Sequence, residues 1–329
     1  MELSLCRCGV NVICRLPHID IVKKIIFFKK KGGEMVTRKT VTIGVGNQKG
    51  GVGKTTMTVQ IAAALAEKGR KVLIIDLDVN AGSTKHLGID PNAYLGTFEV
   101  LTGDEEEPLA VVVTSEDEDN NLPENLHIIT GSRKLEELED RLKKKKSKFD
   151  DSPLSNVLKP VLRRLQGYYD YIFLDTPPSA PLPIIAAYKA ANGFLLVAIP
   201  EGLAIEGLGE ALDDIRQVRE HGNPNLQLIG LAIGAVDNRT RLSRELISYV
   251  NEEFNEFFLK PTIPRATIIP TVQTGKKKTI FQAEPTHSIT QKFREMADDF
   301  EEKVERFLGV KIRPEPEIQN TSKGESVNG

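Results

Sequence analysis

Cysteine is nearly absent from this chain. Of 329 residues only Cys6, Cys8 and Cys14 are cysteines, and the 315 residues that follow contain none. A disulfide framework is therefore excluded for the body of the protein, as is an iron-sulfur or zinc-thiolate site there. Long apolar runs are also missing: no uncharged stretch approaches the about 20 residues that a membrane-spanning helix needs. Charge of one sign is lacking too, with 44 basic against 46 acidic side chains and a formal net charge of -2. That balance excludes a globally basic nucleic-acid binder and leaves local basic patches open. What remains is an ordinary globular composition, 40% hydrophobic and 27% charged, long enough for one large α/β domain or two smaller ones.

Residues 1–34 differ from the rest. They hold all three cysteines, seven basic residues against three acidic ones, and no clean helix or strand period, so residues 35–329 carry a formal charge of -6. Glu2, Arg7, Arg15, His18 and Asp20 interrupt every candidate signal-peptide core. A three-cysteine metal site and a basic membrane-surface arm through Ile25–Lys31 are two readings of this segment. A third is that it is not translated. Lys30, Lys31, Gly32, Gly33, Glu34 and Met35 can be encoded by AAA AAG GGA GGT GAA ATG, a purine-rich ribosome-binding site upstream of a start codon. Translation from Met35 is the expectation, with residues 35–312 as the working domain and 313–329 as a polar, disordered tail.

From Thr40 the pattern becomes strand, glycine loop, helix, strand. Short continuous apolar runs at 41–46, 71–78, 169–178, 193–200, 226–236 and 257–264 read as buried strands, and helical stretches fall at 57–69, 181–191, 204–221, 240–256 and 286–308. Alternation of this kind predicts an α/β fold: a single doubly wound, mostly parallel sheet with helices on both faces. Residues 102–152 break the rhythm with acidic clusters at 104–107 and 116–119 and a basic run at Lys143–Lys146, which read as solvated loops and helix faces.

Gly50, Gly51, Val52 and Gly53, followed by Lys54, Thr55 and Thr56, lie between a strand and a helix and form a P-loop. Its backbone N–H groups can curl around phosphate oxygens, Lys54 can reach the β and γ phosphates, and Thr55 can ligate magnesium. A strict Walker A motif has glycine at position 48; this chain has Gln48, and an additional lysine, Lys49, precedes the glycine pair. Asp76 and Asp78 end one apolar strand and Asp175 ends another, which places three carboxylates at the sheet edge where the P-loop opens. Asp175 suits the Walker B role of holding the magnesium shell.

With these residues in view, the sequence resembles the ParA family of deviant Walker ATPases, which segregate plasmids and chromosomes or position other cargo. The resemblance runs from about Thr40 to Leu308 and rests on KGGVGKTT (49–56), DLDVNAGST (76–84), YDYIFLDTPPS (169–179), AIPEGLAIEGL (198–208), VDNRTRLS (236–243) and TIPRATII (262–269). It implies ATP and Mg2+ as cofactors and a homodimer closed around two nucleotides. Lys49 would be the signature lysine that reaches the partner's phosphates, Asp78 the residue that positions the attacking water, and Asp76 an assistant to the magnesium shell. Asp237, Pro264 and Arg265 fall where the family surrounds the adenine. Val79, Asn80 and Ala81 depart from the usual Pro-Gln-Gly, which puts the switch geometry and the hydrolysis rate in doubt.

The resemblance also implies sequence-independent DNA binding by the ATP-bound dimer, with Arg216 and Arg239 at positions used for it; Arg241 and Lys276 could extend the patch. Such a protein is cytoplasmic and nucleoid-associated, and is released from DNA when a ParB-type centromere-binding adaptor stimulates slow hydrolysis. A membrane-docking relative would end in a basic amphipathic helix, whereas this chain ends its last helix in DFEEKVERFL, so no membrane partner is expected. With fewer than about 100 residues before the P-loop, the helix-turn-helix domain of autoregulating plasmid members, and with it operator-specific repression, is not expected. Two alternatives stay open: a ParA-like ATPase that positions a protein cargo on the nucleoid, and an ATP-binding switch with little hydrolysis.

Overall fold

The structure, a computed structural model, describes residues 39–47, 49–117, 121–145, 154–201, 204–274 and 279–312. The segment before residue 35, expected to be untranslated, and the tail after residue 312, expected to be disordered, lie outside the described residues. Seven strands form one sheet: β1 Val41–Gly46, β2 Val72–Asp76, β3 Val112–Val113, β4 Leu126–Ile129, β5 Tyr171–Asp175, β6 Gly193–Ala198 and β7 Gln227–Ile233. Their spatial order is β3-β4-β2-β5-β1-β6-β7. Every pairing is parallel except β3 with β4.

Eleven α-helices connect the strands among the described residues. In chain order they are α1 Lys54–Glu67, α2 Gly82–His86, α3 Thr97–Thr102, α4 Leu138–Lys145, α5 Leu158–Leu165, α6 Pro181–Ala190, α7 Ala204–His221, α8 Arg241–Glu253, α9 Ile268–Thr274, α10 Ile280–Ala283 and α11 Ser288–Leu308. No described helix is long and apolar enough to cross a membrane.

Continuous apolar strands follow from burial on both faces. Ile43, Val45, Val72, Ile74, Tyr171, Phe173, Leu195 and Val197 share one core with α1 and α11. The alternate residues Leu73, Ile75, Ile172, Leu174, Phe194 and Leu196 are equally buried and point the other way. There the ring of Phe194 stacks on Tyr188 of α6 at a centroid distance of 4.1 Å. On the first face α11 contributes a helical stripe of Ile289, Phe293, Met296, Ala297, Phe300 and Val304, all buried. Phe300 meets both Tyr171 and Phe173 at 5.7 Å. Truncating such a buried ring to alanine costs about 3–5 kcal/mol. Ion pairs from Lys68 and Arg70 to Glu301, and from Arg294 to Glu67, fasten the end of α1 to α11.

Two expectations are corrected. Residues 257–264 do not form a strand. They run beside β7 and make only isolated parallel bridges, Leu231 with Phe258 and Val236 with Pro264, because Pro261 and Pro264 have no N–H with which to continue a ladder. Conversely, residues 102–152 contain two strands among their loops. β4 pairs in parallel with β2, and β3 closes that edge of the sheet antiparallel to β4. The charged residues described around them lie on helix faces and loops: Lys145 of α4 donates to the Asp104 carboxylate at 2.5 Å and to the Thr102 carbonyl at 2.9 Å. This pairing holds the Asp104 carboxyl below its ordinary range.

Candidate active site

The P-loop leaves β1 at the carboxyl end of the sheet, where β1 sits between β5 and β6 and the strand order turns outward in both directions. Crevices of this kind are where open α/β sheets bind ligands. The turn depends on its glycines: Gly51 and Gly53 adopt φ of 74° and 86°, a left-handed backbone that side-chain-bearing residues avoid. Gly53 precedes α1, whose first residue is Lys54, so the helix begins three residues earlier than its apolar pattern indicates. Its unpaired N-terminal N–H groups and dipole face the loop.

Lys54 is buried, and its ammonium donates to the backbone carbonyls of Asn47 and Lys49, both at 3.0 Å. Burial pulls its pKa below the ordinary lysine value, opposed by the nearby charges of Asp175 and Asp78. Lys49, by contrast, is partly exposed, and its Nζ lies 3.8 Å from Glu201 Oε2. Glu201 also pairs with Arg265 at 3.5 Å.

The carboxylates gather next to the loop. In the parallel register of β2 and β5, Asp76 stands beside Asp175, and both are fully buried. Thr55 Oγ1 donates to Asp175 Oδ2 at 2.9 Å, Ser83 Oγ to the same oxygen at 2.7 Å, and Thr58 Oγ1 to Oδ1 at 3.3 Å. Asp76 accepts from the Thr84 hydroxyl at 2.7 Å and from the amides of Thr84 and Asp78 at 2.9 and 3.1 Å. Burial raises the pKa of both carboxyls. The charge of Asp175 adds to the rise at Asp76, and Asp78 adds to it at Asp175.

Strand β2 ends at Asp76, so Asp78 does not share its face. Asp78 is half-buried and caps the following turn, accepting from the Asn80 amide at 2.9 Å. The turn closes with Ala81 at φ 52°, in the left-handed region where the resemblance expects glycine. Sequence reasoning missed Thr58, Ser83 and Thr84, since nothing in a lone hydroxyl residue marks it before the strands are assembled.

Beside the P-loop a cleft of about 270 Å³ is lined by Val52, Thr56, Ile199, Ile263, Pro264 and Ile269, with Arg265 and Glu201 also on its wall. Its apolar walls suit a flat ring stacked edge-in. Pro264 and Arg265, expected near the adenine, both line this cleft beside the P-loop. Asp237 does not line the cleft; it receives two bonds from the guanidinium of Arg239, at 2.9 and 2.7 Å, and that pairing lowers its pKa to about 2.

The candidate DNA residues occupy separate elements. Arg216, on α7, is paired with Glu220; Arg239, before α8, with Asp237; and Arg241, on α8, with Glu245. All three are more than three-quarters exposed. Lys276 lies outside the described residues.

A strand, a P-loop, a helix and two strand-end carboxylates arranged in this way define a P-loop ATPase of the doubly wound α/β class. Comparison with known proteins narrows the class. A family profile described as an AAA domain matches residues 39–228. The chain is 31% identical over 271 residues to the chromosome-partitioning ATPase Soj of Thermus thermophilus, an alignment covering 82% of this chain and 99% of that protein. It is also 31% identical to the chromosome partitioning protein ParA of Caulobacter vibrioides, covering 68% of this chain and 80% of that one. Among solved structures it is similar to cobyrinic acid a,c-diamide synthase from Mycobacterium smegmatis with bound ATP analog and magnesium, at 31% identity and a TM-score of 0.65, covering 84% and 99% of the two chains. The chain belongs to the ParA family of partitioning ATPases.

Proposed function

We propose that this ATPase binds ATP with Mg2+ and forms a dimer around two nucleotides. In that state it coats DNA without sequence preference, and a ParB-type adaptor releases it by stimulating slow hydrolysis, so that a plasmid or chromosome is moved. The observation that carries the reading is the convergence of Thr55, Asp76 and Asp175 beside the P-loop. Hydroxyl and carboxylate oxygens of this kind suit a small hard cation. Among the described residues no group of three or more His, Cys, Asp or Glu side chains could hold a metal ion alone. Mg2+ is commonly held by one or two carboxylates together with nucleotide phosphates.

In this reading Thr55, Asp175 and Asp76 hold the ion, which neutralises charge on the phosphates. Lys54 turns from the carbonyls of Asn47 and Lys49 to the phosphate oxygens, and Pro264 and Arg265 flank the base. Asp78, exposed enough to meet solvent, orients the attacking water. Lys49 acts on the partner's nucleotide, so that charge stabilisation depends on dimerisation, as with a cation supplied in trans in other phosphoryl-transfer enzymes. Partitioning relatives such as Soj and ParA support DNA as the track. The surroundings expected are the cytoplasm and its nucleoid.

The deciding experiment measures ATP turnover with and without nonspecific duplex DNA and a ParB-type adaptor. Stimulated turnover that disappears in Asp78→Ala supports the reading. Equal, negligible turnover in both proteins under all conditions would leave an ATP-binding switch instead.

A further inference from the structure

We propose that Thr84 is the positioning residue for Asp76, anchored in turn by the backbone of Gly131 beyond β4. The inference rests on the reading of Asp76 as a magnesium-side carboxylate. Thr84 is fully buried, and both of its donors converge on one atom: the hydroxyl lies 2.7 Å and the amide 2.9 Å from Asp76 Oδ2. The hydroxyl also accepts the N–H of Gly131 at 2.9 Å. A hydroxyl has one proton, and of these two neighbours only the carboxylate can accept it, so the direction of the O–H bond is fixed. The other carboxylate oxygen, Oδ1, takes the Asp78 amide at 3.1 Å. Rotation of the carboxylate would break bonds at both oxygens.

Gly131 reinforces this arrangement by its lack of a side chain. A Cβ there would lie 2.7 Å from Asp76 Cγ and 2.9 and 3.0 Å from its two oxygens. The carboxylate is thus clasped between the Asp78–Thr84 segment on one side and the turn after β4 on the other. Displacing Thr84, which sits in α2 immediately beyond the Ala81 turn, would turn the carboxylate with it. Thr84 therefore ties the orientation of a magnesium-side oxygen to the position of the segment that carries Asp78. Outer partners that orient a metal-side group in this way typically change metal affinity by 10–100-fold when removed.

The test uses the full chain and a fluorescent ATP analogue carrying a mant group. Its binding is titrated in EDTA and then against graded MgCl2, and the thermal midpoint of the nucleotide-free protein is recorded for each variant. Thr84→Val, which keeps the shape and removes the hydroxyl, should raise the Mg2+ concentration for half-maximal effect about tenfold or more. Affinity in EDTA should stay within about twofold of wild type, and Thr84→Ser should restore the Mg2+ dependence. A purely structural role would lower the thermal midpoint without moving Mg2+ dependence relative to EDTA binding, and that result overturns the proposal. If Thr84→Val does not fold, Gly131→Ala provides the second arm, since it crowds the same carboxylate and should shift the Mg2+ dependence in the same direction; no shift overturns the proposal. Asp76→Asn separates the layers. An unchanged Mg2+ dependence in Asp76→Asn would overturn the reading of Asp76 itself. A shift there with none in Thr84→Val overturns only the positioning role.

Discussion

The ammonium of Lys49 rests 3.8 Å from the carboxylate of Glu201 in its own chain, while the neighbouring Lys54 is turned onto the P-loop carbonyls. Two lysines five residues apart thus have different surroundings, one half-exposed and one buried. Lys49→Ala should keep ATP affinity within about threefold, because the ion pair it loses is a surface pair worth about 0–1 kcal/mol, and should lose ATP-driven dimerisation. Analytical ultracentrifugation with a nonhydrolysable analogue checks this; normal dimerisation of Lys49→Ala would remove its trans role. Glu201→Gln should shift the monomer–dimer equilibrium by less than about fivefold, since the pair is too weak to act as a lock.

Lys54→Ala should weaken ATP binding by about 10- to 100-fold, corresponding to the about 1.5–3 kcal/mol of hydrogen bonds made to a charged group. Isothermal titration calorimetry reads it directly. The loss should appear in EDTA as well as in Mg2+, which distinguishes Lys54 from the carboxylates.

Ala81→Gly should stabilise the protein. Ala81 holds φ at 52°, a conformation that costs an L-residue about 1–2 kcal/mol and glycine almost nothing. Part of that gain is offset by the greater freedom of glycine in the unfolded chain, leaving about 0.5–1 kcal/mol. For a domain of this size the thermal midpoint should rise by about 2 °C. A lower midpoint would show that the turn relies on the methyl group, which is buried in the structure.

How much of this site can be read from the sequence depends on how local each signal is. The P-loop and the three aspartates announce themselves because each ends or follows a continuous apolar run, and the parallel sheet follows from those runs. β4 does not, since LHII is four residues long and sits among acidic clusters that dominate any window. Without β4 there is no reason to bring Gly131 to Asp76. The FFLKPTIP segment fails in the opposite sense: its composition is that of a strand, and its prolines forbid the ladder. The cleft walls combine Ile199 with Ile263 and Ile269, apolar residues from two segments far apart in the chain, and their own side chains carry no mark of a ligand until folded.

If Arg216 and Arg239 meet DNA phosphates, replacing either by alanine should weaken binding to all duplex sequences alike. It should also reduce the salt slope of log K by about 2 per dimer, one contact from each protomer. Of their present partners, Glu220 is an exposed carboxylate one turn along α7 and competes only weakly, whereas Asp237 holds Arg239 by two bonds that DNA binding would have to exchange. Fluorescence anisotropy over graded KCl measures the slope; an unchanged slope would assign the DNA surface elsewhere.

His127 supplies a pH signature of folding. Burial, with a smaller contribution from Lys71, pushes its pKa down to about 4. Between the unfolded value of about 6.5 and that depressed value, the unfolded chain takes up a proton that the folded chain refuses. Stability therefore falls as pH falls through this window, by about 2–3 kcal/mol from this group. His127→Phe should remove that portion of the slope in urea unfolding measured from pH 7 to 4. An identical slope in the variant would show that His127 takes up its proton alike in the folded and unfolded chain.

The pairing of Asp76 with Asp175 has a consequence for how the protein acquires activity. These residues come from strands separated by about a hundred positions in the chain, and they meet only when β2 and β5 align in parallel. Contacts of such sequence separation carry a high loop-closure cost and form late and cooperatively. A nascent or truncated chain that has made its P-loop but not β5 would have a phosphate loop without its carboxylate counterpart. If the two carboxylates serve magnesium as proposed, nucleotide binding with magnesium would report the pairing of β2 with β5, and the ligand, by favouring only the paired state, would protect it against reopening.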